Sequence, residues 1–306
     1  MKSSMNDRQV ENLFVTMIDN SYLQGKLTLE DVSSLKFEKG YVTPAYYSSI
    51  KTIVMSEDMM EPISLAHEVG HYLFDYLDED DLERASIYVA IAQDKFQTSY
   101  ISDTVIDDNR RFVIKRMEEL EKQQAEKINL TIDSLYQEEN TEKLVSYMRI
   151  AILHDCNIIR VNDEILEKVD QSVIGVLNNY SEEQVKKYIY ENYGKKLAIK
   201  KAQALLNEEE PKGISMMIDL FSSVNDGKYY NLPISHDISY YQKNDTVAFS
   251  EQFANYAALK LTNCQENLDK ARKVLGDEYT DFMDSLLAKS LAKLGVKQDA
   301  NNLHKN

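Results

Sequence analysis

The chain has 306 residues and carries 51 acidic against 35 basic side chains, a net charge of −16, which excludes the basic footprint that nucleic-acid binding needs. With 43% hydrophobic and 28% charged residues, nine glycines and four prolines, it reads as an ordinary globular protein, neither fibrous nor largely disordered. No apolar run reaches the length of a membrane span, and the opening MKSSMNDRQVENLF lacks the apolar core of a signal peptide.

Taken along the chain, residues 6–20 space Val10, Leu13, Phe14 and Met17 as one helix face, with Asn6 or Asp7 as the cap. A turn-rich stretch follows. Lys51-Thr52-Ile53-Val54-Met55 is β-branched and reads as a strand. Pro62 suits the first turn of the next helix, which is expected to run to about Tyr76. From Leu82 to about Leu206 the text is helical in period and densely charged, poor in Gly and Pro, and suggests solvated helix faces or a helical hairpin around residues 115–143. The clearest break is Glu208-Glu209-Glu210-Pro211-Lys212-Gly213. Beyond it, ISMMIDLFSSVNDG reads as a helix stopped by Asn225-Asp226-Gly227. A Tyr-rich loop then leads to VAFSEQFANYAALKL, a helix with Ser250 as its candidate cap, then a last helix over about 277–294 and a polar tail. The two cysteines, Cys156 and Cys264, form no CxxC pair and are expected to be buried free thiols of a reducing compartment. Synthesis in the cytoplasm is therefore expected, with a virion-associated or delivered protein also compatible.

Residues 64–72 read SLAHEVGHY. His67 and His71 stand one helical turn apart on one face, so both can offer a ring nitrogen to one zinc ion. Glu68 lies about 100° around the helix, beside the ion rather than on it, which suits a general base. Zinc would bring the pKa of bound water towards about 7. The uncharged flanks Leu65, Ala66, Val69, Gly70 and Tyr72 fit a helix half-buried around a metal.

This stretch resembles the active-site helix of the zincin metallopeptidases. The resemblance implies an upstream edge strand, matching Thr52–Met55, that receives the substrate main chain. A catalytic zinc needs a third protein ligand. The metzincin pattern would need a histidine where Leu77 stands, and a thermolysin-like spacing would need a glutamate where the text reads VAIAQDK. Glu83 comes too early. Glu251, in FSEQFANYAALKL, opens a helix with an apolar face through Phe253, Ala254, Ala257 and Ala258. That stretch resembles the glutamate-donating E-x-F-A helix of the anthrax lethal-factor-like peptidases, and of zincin-like domains in phage Mu-type minor head proteins. MIDLFSSVNDGK and SHDISYY upstream, and LGDEYTDFMDSLL downstream, extend the likeness. The resemblance implies His67, His71 and Glu251 as zinc ligands and Glu68 as catalytic base, with Tyr240 or Tyr241 donating to the tetrahedral oxyanion. The gap between His71 and Glu251 is longer than that group would suggest.

The expected architecture is α+β and mostly helical, a zincin-like domain split by a helical insertion: 1–81 with the motif helix, 82–212 the insertion, 213–306 with the third-ligand helix. The expected function is zinc-dependent hydrolysis of protein or peptide substrates, with no nucleic-acid or membrane partner. The alternatives are a phage head-associated structural protein with a vestigial or structural metal site, and a delivered toxin peptidase. Other residues carry bland and functional readings side by side. Asp107 and Asp108 are rival metal ligands or a charged face paired with Arg110 and Arg111. Asp78-Glu79-Asp80-Asp81 is a solvated helix end or a lure for basic substrates. Asp75 could orient a metal-bound histidine. His236 is a substrate group or a loop residue, and His154 is structural.

Overall fold

The computed structural model describes residues 7–19, 27, 30–40, 44–56, 61–102, 104–137, 141–156, 158, 161–227, 236 and 238–296, without the side chains of 7–11, 39, 100–109 and 137. The fold is α+β and mostly helical. Helix α1 (Asp7–Asp19) precedes three short strands, β1 (Lys36–Lys39), β2 (Ala45–Tyr47) and β3 (Thr52–Met55). The motif helix α2 (Pro62–Phe74) follows, with Pro62 in its first turn, where a missing N–H costs nothing. Then come α3 (Glu79–Ser102), α4 (Thr104–Gln137), α5 (Thr141–Asp155), α6 (Asp163–Asn179), α7 (Glu182–Ile189) and α8 (Lys195–Glu208), the last two joined by a π-turn over Tyr190–Gly194. The chain closes with α9 (Ile214–Val224), the short α10 (Ile238–Tyr241), α11 (Asp245–Leu261), α12 (Gln265–Leu275) and α13 (Asp277–Lys293). The polar tail beyond 296 and most of the Tyr-rich loop lie outside the described residues.

The strand read from Thr52–Met55 forms, but it is not an edge. The sheet order is β1-β3-β2, with β1 parallel and β2 antiparallel to β3. All four β3 residues are buried, so its β-branched character reflects a central strand. The sheet is pinned to the C-terminal end of α2. Tyr46 and Ser48 donate to Asp75 at 2.6 Å and 2.7 Å, and Tyr72 shares a 2.7 Å hydrogen bond with Ser34. Asp75 is therefore bound to the sheet and not to a histidine; its carboxylate at a helix C-terminus is held by two hydroxyl donors.

Capping sets the other boundaries. Helix α11 begins one turn and more before Ser250, because Asn244 Oδ1 accepts from Val247 N at 2.8 Å. Asp78 and Asp81 cap each other's backbone N–H groups at the start of α3, and both bind Lys289 of α13 at 2.7 Å. The acidic run is thus a cap and a clamp between helices. Arg116 of α4 pairs with Glu209 at 2.9 Å. Cys264 is buried, whereas Cys156 is exposed, since it follows the last turn of α5.

The stretch 82–206 does not pack as one block. Ala85, Ala92 and Phe96 of α3, Val113, Met117 and Leu120 of α4, and Ala202 and Leu206 of α8 lie in the same core as Val69, Phe253 and Phe282. Tyr88 stacks on Phe282 at 4.1 Å, and Phe96 meets Phe221 at 5.7 Å. A second core begins only farther out, from Ile128 through Met148, Val173 and Tyr193 to Ala198. The charged text of α4 hid this because one face stays polar along its whole length while the buried face changes core midway.

Replacing residues 128–196 by a short Gly/Ser turn joining α4 to α8 should leave a folded first core that still binds one metal ion. Replacing 82–206 should unfold the chain, because it strips several buried side chains worth about 1.5–3 kcal/mol each. Circular dichroism melts and metal stoichiometry of the two deletions check this.

Candidate metal centre

Two helices build the site. α2 presents His67 and His71, while α11 lies against it and presents Glu251, which sits in the second turn rather than the first. The helices approach closely because small residues meet. A Cβ on Gly70 would stand 2.7 Å from Ala254 Cα and 2.9 Å from its carbonyl oxygen. Phe74 seals one end of the crossing against Phe249 and Phe253, at 6.0 and 5.9 Å.

At this crossing His67 Nε2 and His71 Nε2 lie 3.2 Å apart. Glu251 Oε2 is 3.4 Å from His67 Nε2, and Oε1 is 3.3 Å from His71 Nε2. Donors about 2.0–2.1 Å from a central ion, at tetrahedral corners, stand roughly 3.3–3.4 Å apart. The three side chains could therefore hold a metal ion. Glu251 is 2% exposed, and its Oε2 has no hydrogen-bond partner among the described residues. An orphaned buried carboxylate oxygen facing two imidazole nitrogens is what a cation would satisfy. With its proton on Nδ1, His71 donates to Ser250 Oγ at 2.9 Å and leaves Nε2 free for a metal. Ser250, expected as a cap, is thus the support of His71. His67 Nδ1 is buried without a partner among the described residues.

Charge follows the same geometry. Burial would raise the Glu251 carboxyl, but His71, His236 and His67 hold it well below the usual carboxylate range. Burial opposes protonation of His67, yet Glu251, with Glu68 and Asp219 behind it, raises its pKa to about 9. Glu68 is 7% exposed, and no hydrogen bond or ion pair engages it among the described residues. Helix α8 brings a cation towards it: burial lowers the Lys200 pKa, while the charges of Glu61, Asp219 and Glu68 act in the other direction.

The two tyrosines separate. Tyr240 donates to Glu251 Oε1 at 2.7 Å; burial and the Glu251 charge push its phenol up, so it keeps its proton. Tyr241, 1% exposed, is turned away and donates to Asp219. Consecutive residues on a helix diverge by about 100°, so only one could face the ion. His236 is also drawn in, with Nε2 3.6 Å from Glu251 Oε2 and its ring stacked on Tyr240 at 4.2 Å. The side chains of Asp107 and Asp108 lie outside the described residues. Asp219 was not anticipated; the signal available was a lone carboxylate inside the apolar run ISMMIDLF.

Comparison with known proteins finds no match, whether to a family model, a curated protein or a solved structure.

Gly70→Ala should weaken metal binding by about tenfold or more and lower thermal stability, because the clash is with backbone that cannot rotate away. Gly175→Ala, whose Cβ would meet nothing within 4 Å, should instead stabilise by roughly 0.5–1 kcal/mol. Chelator competition and thermal melts separate the two. Because His67 must lose its proton to bind a metal, apparent affinity should rise with pH from the ordinary histidine range up to about 9. A flat affinity over that range contradicts this account of His67.

Proposed function

We propose that the protein is a zinc-dependent peptidase of the gluzincin type, similar to the lethal-factor-like enzymes. The observation that carries this is the convergence of His67, His71 and Glu251 to donor separations of 3.2 to 3.4 Å, with the carboxylate of Glu68 uncommitted beside them. Zinc suits the donor set of two imidazoles and one carboxylate. When bound, the ion supplies Lewis acidity to a carbonyl oxygen and acidifies water.

The chain's own groups do the rest. Glu68 takes a proton from water as its oxygen attacks the scissile carbonyl carbon, and returns that proton to the amine as the C–N bond breaks. Tyr240, eleven residues before Glu251, donates its single proton to Glu251 Oε1 and would have to turn that proton from the carboxylate to the developing oxyanion. The His71–Ser250 contact at 2.9 Å holds the orientation of that imidazole, with the hydroxyl able to accept from Nδ1–H when Nε2 binds the ion. An intact, unpartnered Glu68 supports catalysis over a metal that only braces two helices, since a brace has no use for a base.

Purified protein should contain one zinc per chain. Glu251→Ala should lose at least about tenfold in zinc affinity, comparable to removing a histidine. Glu68→Gln should keep zinc and fold while abolishing hydrolysis, scored by mapping new peptide termini in a digested proteome. If the wild type also generates no new termini, the bracing role takes the place of catalysis.

A further inference from the structure

One buried carboxylate beside the site is used neither by the HExxH motif nor by the metal triad. Asp219 comes from the apolar helix α9 and is 6% exposed. Its Oδ1 accepts from the Tyr241 hydroxyl and from the backbone N–H of His236 at 3.0 Å; its Oδ2 accepts from Asn255 Nδ2 at 2.6 Å. A buried carboxylate is expensive unless its oxygens are satisfied. Here the satisfying donors belong to two different pieces of the site. His236 and Tyr241 flank the stretch that carries Tyr240. Asn255 stands one helical turn beyond Glu251 on α11.

The same stretch is held from its other side. Tyr240 donates to Glu251 Oε1 at 2.7 Å, His236 Nε2 lies 3.6 Å from Glu251 Oε2, and the two rings stack with 19° between their planes. His236, Tyr240 and Tyr241 are thus pinned, His236 and Tyr241 behind by Asp219, and Tyr240 and the His236 ring in front by Glu251. Asp219, His236 and Glu251 also bring ligand atoms within 4.8 Å of one another, the spacing of a second cation site. The hydrogen bonds argue otherwise. Asp219 already receives donors on both oxygens, and it meets His236 through the backbone N–H, not through the ring.

We propose that Asp219 is a positioning residue: it ties His236 and Tyr241 to α11, so that Tyr240 and the His236 ring stand beside the metal triad, and it does not ligate a second ion. Only its kinetic consequence rests on the peptidase reading; the anchoring is independent of it.

The test is Asp219→Ala, which removes both acceptor oxygens and leaves the His236 N–H, the Tyr241 hydroxyl and the Asn255 amide without their acceptor. The variant should still bind one zinc per chain, with affinity within about threefold of wild type. Amide hydrogen exchange at His236 and through 238–241 should speed up about tenfold or more, while amides of α13 keep their protection. On a cleaved peptide, kcat should fall while zinc occupancy does not. Unchanged exchange at His236 overturns the proposal. So does an equal acceleration in α13, which would mark general destabilisation, or a wild type binding two zinc ions where the variant binds one. If Asp219→Ala fails to fold, Tyr241→Phe removes one donor to Asp219 and the hydroxyl that shares the His236 N–H at 3.1 Å, and should give the same local acceleration with smaller amplitude; unchanged exchange there overturns the proposal equally. A protein that shows the exchange change and binds one zinc, but cleaves nothing, supports the anchor and refutes only the peptidase reading.

Discussion

The arrangement depends on the contact between Gly70 and Ala254, where α2 and α11 cross with no room for a Cβ on the first. Each contact residue lies three positions from a side chain of the candidate triad, Gly70 from His67 and Ala254 from Glu251, so the contact is one turn away from the donors on both helices. Steric contact between backbones is hard and short-ranged, unlike the soft positioning that long side chains provide. It fixes how far Glu251 can stand from the two imidazoles. Phe74, Phe249 and Phe253 close the crossing on one side, and the apolar burial there resists any opening that would part the donors.

Three carboxylates occupy this neighbourhood, and the fold treats each differently. Glu251 is buried among histidines that hold it ionised. Asp219 is satisfied by hydrogen-bond donors from His236, Tyr241 and Asn255. Glu68 is engaged by no hydrogen bond or ion pair among the described residues. Unequal environments give groups of one chemical type separate tasks. Glu251 and Asp219 are committed to the histidines and to hydrogen-bond donors, and under the proposed peptidase reading Glu68 is the carboxylate left to exchange a proton.

The helices between the two halves of the site are more than an appendage. α3 and the near half of α4 complete the core beneath α2 and α11, and α8 returns from the outer core carrying Lys200 towards Glu68. The outer half, closed around Met148, Val173 and Tyr193, has an apolar interior of its own. A long separation in sequence between the histidines and Glu251 therefore costs the site nothing, because both ends of the excursion are anchored in the shared core.

Local features were legible in the residues alone. The HExxH spacing put two imidazoles on one face, the proline and glycine punctuation placed the ends of α2 and α9, and the apolar periods marked α11 and α13, because each depends on residues a few positions apart. Which group pairs with which came from long-range packing. β3 proved central because β1 supplies its second neighbour. Asp75 went to the sheet hydroxyls, Ser250 to His71, Tyr241 to Asp219 and Tyr240 to Glu251. In each case a short-range pattern allowed several partners, and only the packing of distant helices brought one of them within hydrogen-bonding distance. The division of the helical stretch into two cores was hidden for the same reason, since a helix's period shows that a face is buried but not against which neighbour.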